Sequence, residues 1–230
     1  MNEKKISTST IAMIALMTAV TCILGPLSVP IGPVPISLTN LAIYFTVILL
    51  GWKKGTVSYV IYLLIGLVGV PVFSSFSAGP AKLFGPTGGY LIGFIFLAMI
   101  SGWFIEKFPG KRVMYFVGMV LGTAVCYALG TAWLAYEAEM TFQAALMAGV
   151  IPFIIGDIAK MIVAIIVAPM IKKNFRAEEV FSKSRIYQIR RFTSLEVQYS
   201  WLSISKINKL RKDRRLSVHR HIQMYDRVRL

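Results

Sequence analysis

Six long apolar blocks, at roughly residues 10–27, 36–51, 55–70, 88–105, 112–135 and 151–171, constrain what this chain can fold into more than any other feature. An α-helix rises about 1.5 Å per residue, so about 20 apolar residues match the roughly 30 Å hydrocarbon core of a bilayer. With 56% hydrophobic residues and a mean hydropathy of +0.67 over 230 residues, the chain is too apolar for a soluble domain of its size. The expectation is an all-α integral membrane protein with six transmembrane helices. Blocks two and three are short for a full span, which leaves them thinned, half-buried or extended by polar flanks.

Loop charge orients the bundle. Lys4 and Lys5, Lys53 and Lys54, Lys107, Lys111 and Arg112, then Lys172, Lys173 and Arg176 fall at every second boundary, while the alternate boundaries carry only Lys82, with Glu137 and Glu139 nearby. Basic loop residues stay on the cytoplasmic side, so both termini are expected there, in the cell membrane of a bacterium. Trp52 and Trp103 near inner ends, and Trp133 near an outer end, suit interfacial aromatics. Lys4 and Lys5 before an apolar run, and Ala19-Val20-Thr21-Cys22, imitate secretory signals. Both are set aside because more membrane sequence follows. Cys22 and Cys126 sit inside apolar blocks at no metal-ligand spacing and read as buried free thiols.

Composition changes near Arg176. This divides a six-helix membrane domain, residues 1–176, from a basic cytoplasmic tail, residues 177–230. The tail carries 13 Lys/Arg against 5 Asp/Glu, about half of the net charge of +15, without a sustained period. It is read as a poorly ordered extension without a specific partner. Attraction to anionic lipid, at about 1 kcal/mol per charge near the surface, is one alternative, and RNA contact is a rarer one. No nucleic-acid partner is expected for the chain as a whole.

Within this frame, Asp157 and Lys160 stand out as opposite charges three residues apart in the last apolar block. Ionisable groups at membrane depth are costly, share a helix face at this spacing, and usually line a cavity or pathway. A salt bridge that only joins two helices is the competing reading. Pro152 interrupts the run before them and places Gly156, Asp157 and Lys160 near the outer end of a helix, where an acidic group is favoured by the helix dipole.

Two outer loops are rich in backbone breakers. Gly25-Pro26, Pro30, Gly32, Pro33 and Pro35 make the first a stiff, non-helical loop. The second runs from Pro71 to Tyr90 and ends Gly85-Pro86-Thr87-Gly88-Gly89-Tyr90. Loops of that length are uncommon unless functional. Gly88 and Gly89 allow close backbone approach, Thr87 offers a hydroxyl, and a helix beginning near Tyr90 presents free N–H groups, a set suited to a carboxylate or carbonyl. Tight re-entry of the chain into the membrane explains the glycines equally well. Phe73, Phe76, Phe84 and Tyr90 add apolar surface able to enclose a small ring system. On the first block, Ala12, Ala15 and Ala19 permit close approach of another helix.

There is no phosphate-cradling G-x-x-x-x-G-K-[ST], no H-E-x-x-H, no G-x-S-x-G, and both histidines, His219 and His221, lie in the tail. The chain is expected to be neither an ATPase nor any other enzyme, and to need no cofactor or metal.

Gly32-Pro33-Val34-Pro35-Ile36, the stretch from Tyr62 to Phe73, Gly85 to Gly93, and Pro152-Phe153-Ile154-Ile155-Gly156-Asp157-Ile158-Ala159-Lys160 together resemble the BioY family over roughly residues 8–175. Members of that family are the biotin-binding substrate-capture (S) components of energy-coupling-factor (ECF) transporters. The resemblance implies six helices, both termini inside, and outer loops capping a biotin pocket to which Thr87, Gly88, Gly89, Tyr90, Asp157 and Lys160 contribute. It implies docking through Ala15 and Ala19 on a transmembrane scaffold protein, with two ABC-type ATPases spending the ATP. Asp157 as double acceptor and Lys160 as donor fit the ureido ring of biotin. The same lysine fits the valerate carboxylate, and the Gly88 and Gly89 amides remain candidates for the other end. A self-sufficient ion-coupled transporter is the rival reading, weakened by the lack of repeated hydropathy halves and of a second intramembrane carboxylate.

Overall fold

The computed structural model describes residues 7–30 and 33–173. The basic tail, both histidines, Arg176, Lys4, Lys5 and Gly32 lie outside the described residues. Helix α1 (Thr8–Leu24) ends at Gly25-Pro26. The first outer loop then forms a two-stranded antiparallel ribbon, β1 (Ser28–Val29) on β2 (Ile36–Ser37), with Ser28 opposite Ser37. Helices α2 (Thr39–Leu50) and α3 (Trp52–Leu67) follow. The second outer loop holds a 3-10 turn, Ser74–Phe76, and a single turn, α4 (Pro80–Phe84). The long helices α5 (Gly88–Lys107) and α6 (Arg112–Glu137) come next, then α7 (Phe142–Gly149) and α8 (residues 151–173).

Six of these helices fall on the six apolar blocks. Among the described residues, three stretches are long and apolar enough to cross a membrane, Gly88–Lys107, Arg112–Glu137 and Phe142–Lys173, the last combining α7 with α8. Helix α2 is shorter, with 12 residues, and is buried on most sides, from Thr39 and Asn40 through Ile48. A helix enclosed by protein does not itself have to match the hydrocarbon thickness.

Small residues set the closest helix pair. Gly118, Gly122, Cys126 and Gly130 recur every fourth position along α6 and face Phe104, Leu97 with Ser101, Gly93, and Tyr90 of α5. A Cβ on Gly122 would lie 3.0 Å from the Leu97 carbonyl oxygen, and one on Gly93 would lie 3.0 Å from the Cys126 Cα, so the two backbones touch. In lipid, where no hydrophobic force drives helices together, such van der Waals packing is the main attraction.

Hydroxyls inside the bundle find partners along and between the helices. Thr18, Thr21, Thr46 and Thr123 donate to the carbonyl one turn back, Thr18 also meets Ser58 at 3.0 Å, and Tyr44 meets Thr123 at 2.6 Å. Among the described residues no buried side-chain nitrogen or oxygen lacks a partner, as an apolar surround demands.

One end of the bundle gathers the basic residues. Gly51 turns α2 into α3 at φ +82° and lies against Glu106, whose carboxylate accepts from the Trp52 backbone N–H at 3.0 Å. Lys107 sits 4.3 Å from the Trp103 ring centre, Lys54 donates to Thr10 at 3.4 Å, and Lys172 donates to the Ile48 carbonyl at 2.6 Å. The turns bearing Lys53, Lys54, Lys107, Lys111 and Arg112 therefore share an end with the start of α1 and the close of α8.

Candidate ligand-binding site

At the other end of the bundle, the two breaker-rich loops, α2, α5, α6, α7 and α8 line a half-open cavity. Its volume is about 60 Å³, several times the roughly 10–15 Å³ that a single water requires. One wall is polar: Ser37, Thr39 and Asn40 from the loop and the head of α2, Tyr127 from α6, Asp157 and Lys160 from α8. Val34, Pro35, Leu91, Phe94 and Phe153 supply the apolar part of the lining. Ser74, Thr87, Tyr90 and Gly149 complete the lining. Compact ligand sites combine an apolar enclosure with a few convergent polar groups in this way.

The polar wall follows from where α8 begins. Helix α7 stops at Gly149, Val150 breaks the path, and α8 restarts at residue 151 with Pro152 in its first turn, where a missing N–H leaves no helix bond unmade. Asp157 and Lys160 are then one turn apart on a face turned inward, and Asp157 is only 5% exposed. Lys160 Nζ donates to the Ser37 carbonyl at 2.8 Å, to Asn40 Oδ1 at 3.1 Å and to Asp157 Oδ1 at 3.1 Å. Tyr127 donates its hydroxyl to Asp157 Oδ2 at 2.6 Å, a short charge-assisted bond. Asp157 lies beyond the first turn of α8, where the helix dipole has faded. Its charge is held by Lys160 and Tyr127 instead.

Four of the residues singled out from sequence, Thr87, Tyr90, Asp157 and Lys160, meet in this cavity. Gly88 and Gly89 stand behind the lining. The Gly88 amide already donates to the Gly85 carbonyl at 2.8 Å, and a Cβ there would strike the Leu83 carbonyl. A Cβ on Gly89 would strike Trp133, whose indole N–H donates to the Gly85 carbonyl at 3.0 Å. Both glycines thus let the second loop fold tightly onto α6. Phe73 is fully buried, edge-on to Tyr62 at 5.6 Å between ring centres, with Gly66 beneath it. It anchors the second loop to α3 behind the cavity, while Phe76 and Phe84 are exposed.

Sequence reasoning missed Ser37, Asn40 and Tyr127. Asn40 carried a signal, as an amide just inside the apolar block 36–51. Tyr127 carried none, being one of 10 tyrosines in the chain.

The fold and the cavity define a helical membrane protein with an interior chamber of mixed polarity. The chain belongs to the BioY family, whose family model matches residues 1–177. It is 37% identical over 164 residues to a protein of Pyrococcus horikoshii named as a probable biotin transporter BioY, covering 71% of this chain and 96% of that protein. It is 36% identical over 158 residues to the biotin transporter BioY of Thermotoga maritima, covering 69% of this chain and 92% of that protein. A solved structure described as the S-component for biotin from an ECF-type ABC transporter superposes with a TM-score of 0.68 at 32% identity, covering 75% of this chain and 94% of that one. These relatives are transport proteins, not enzymes.

Proposed function

We propose that this chain is the biotin-capturing membrane subunit of an ATP-driven vitamin importer. The observation that carries this reading is the mixed-polarity chamber built around Asp157, Lys160, Tyr127 and Asn40 in a chain of the BioY family. Biotin has a polar bicyclic head that both donates and accepts hydrogen bonds, and an aliphatic arm. The polar wall suits the head, and Phe94, Phe153 and Leu91 suit the apolar parts. Thr87, Tyr90, Asp157 and Lys160 are the proposed contacts. Gly88, Gly89 and Phe73 shape the wall behind them.

The chain spans the cell membrane six times with both termini in the cytoplasm. The collection of basic turns at one end and the placing of the cavity at the other support this orientation. Capture then occurs at the outer face and involves no chemistry on biotin. Because a ligand shifts a conformational equilibrium only through differential binding, release inside requires work from partners that hydrolyse ATP. The docking face is the outward stripe of α1. Ala12, Ala15 and Ala19 are all exposed there, while Met17, Thr18 and Thr21 pack inward. Small residues at this spacing let a scaffold helix approach closely.

Equilibrium titration of the purified chain with biotin, desthiobiotin, lipoate, thiamine and riboflavin tests the reading. Tight binding of biotin, without ATP or metal, is the expected result. Preference for any of the last three overturns it.

A further inference from the structure

One exposed face of α5 runs from apolar to cationic. Ile92, Phe96, Met99, Trp103 and Lys107 follow one another at three- or four-residue spacing, so they form a single stripe, and all five are exposed. The stripe lies between two helices, since Gly102 abuts Trp52 of α3 and Phe104 abuts Gly118 of α6. From Ile92 to Trp103 it runs about 16 Å, the depth of one leaflet of a hydrocarbon core about 30 Å thick. Its foot is a tryptophan and a cation, at the end of the bundle that gathers the basic turns.

That end holds more positive charge than the protein compensates. Lys53, Lys54, Lys107, Lys111 and Arg112 are all exposed there. Among the described residues Glu106 is the only carboxylate at this end, because Glu137 and Glu139 stand at the far end of α6 and Asp157 lines the cavity. Glu106 accepts from the Trp52 backbone N–H, fills the space beside Gly51, and pairs with none of the five cations. This bond joins the start of α3 to the end of α5, so the residues next in the chain, Lys53 and Lys107, belong to one patch. Each lies over an indole ring, 5.3 Å from the centre of Trp52 and 4.3 Å from that of Trp103. Such a contact fixes where an ammonium stands without neutralising it. Lys54 instead donates to Thr10 of α1.

We propose that this stripe holds one anionic phospholipid of the adjoining leaflet, its acyl chain along Ile92, Phe96 and Met99 and its phosphate at Lys107 and Lys53. Every spanning helix meets lipid. What selects an acidic headgroup here is uncompensated charge at the foot of an apolar stripe one leaflet long. A zwitterionic headgroup brings its own cation and gains little, and an acidic soluble partner has no use for the stripe. The proposal needs only that the chain spans the bilayer, not that biotin is its ligand.

Native mass spectrometry of the full chain, in mixed micelles with equal amounts of phosphatidylglycerol and phosphatidylcholine, reads the ratio of the two lipids retained. Wild type should favour phosphatidylglycerol; no preference would overturn the proposal. Lys107→Gln should lower the preference about fivefold, and Lys53→Gln/Lys107→Gln about twentyfold to thirtyfold. Lys107→Arg should keep it. Lys54→Gln removes the same charge beside α1 and should leave the ratio within about twofold, while the basic residues after 176 are common to every variant and cancel. A loss from Lys54→Gln equal to that from Lys107→Gln would mean diffuse surface attraction and overturn the proposal. Displacement of the lipid by glycerophosphoglycerol, the same headgroup without chains, would overturn it as well. So would recovery of the wild type as a dimer without bound lipid, which would give the stripe to a second copy. Biotin affinity should stay within about twofold in each variant, so failure of this proposal and failure of the biotin reading are separate outcomes.

Discussion

Replacing Lys160 with alanine removes the centre of the polar wall. Three acceptors lose a donor: the Ser37 carbonyl at 2.8 Å, and Asn40 Oδ1 and Asp157 Oδ1 at 3.1 Å each. Asp157 keeps only Tyr127, and its side chain is 8% exposed, so an anion is left nearly uncompensated away from water. Breaking one side of a buried pair costs about 3–5 kcal/mol, far more than the pair contributes relative to an apolar substitute. At about 2–4 °C per kcal/mol for a chain of this length, the unfolding midpoint in detergent should fall by about 6–20 °C. The double variant Asp157→Asn/Lys160→Ala removes the orphaned charge and should recover a substantial part of that loss, while biotin binding stays impaired by about 2 kcal/mol or more. Thermal unfolding of wild type and the two variants, each with and without biotin, reads both effects. If Lys160→Ala melts with the wild type, or the double variant melts below the single one, the charge-compensation argument is wrong.

Tyr127→Phe deletes one charge-assisted bond to Asp157 and nothing else in the cavity, so biotin affinity should drop about tenfold or more with little change in fold, measured by calorimetry. Gly122→Leu forces α5 and α6 apart at the Leu97 carbonyl, and loss of folded, monodisperse protein in detergent is the expected outcome. Ala15→Trp or Ala19→Trp places a large side chain on the outward face of α1, away from the cavity. Biotin binding should survive, and co-purification with the scaffold protein and uptake should fail; normal uptake would move the docking face elsewhere.

The helices were legible because apolar block length and loop charge are one-dimensional signals that a bilayer reads directly. Asp157 and Lys160 were legible for the same reason: charge within hydrocarbon needs a cause. The partners of that pair were not. Asn40 and Ser37 reach Lys160 across 120 and 123 residues of sequence, and Tyr127 reaches Asp157 across 30, so only the fold brings them together. Gly88 and Gly89 illustrate a different limit. A glycine beside a candidate site permits close approach of any atom, and Leu83 and Trp133 take that space here. The stripe of small residues on α6, from Gly118 to Gly130, stands in the sequence at four-residue spacing, but nothing in one dimension says which helix it meets.

The most direct test of the account is a calorimetric titration of biotin into the purified chain, alone in detergent, with neither ATP nor metal. Saturable one-to-one binding at nanomolar affinity, about 12 kcal/mol, is the predicted result. No heat and no saturation at micromolar biotin would contradict it.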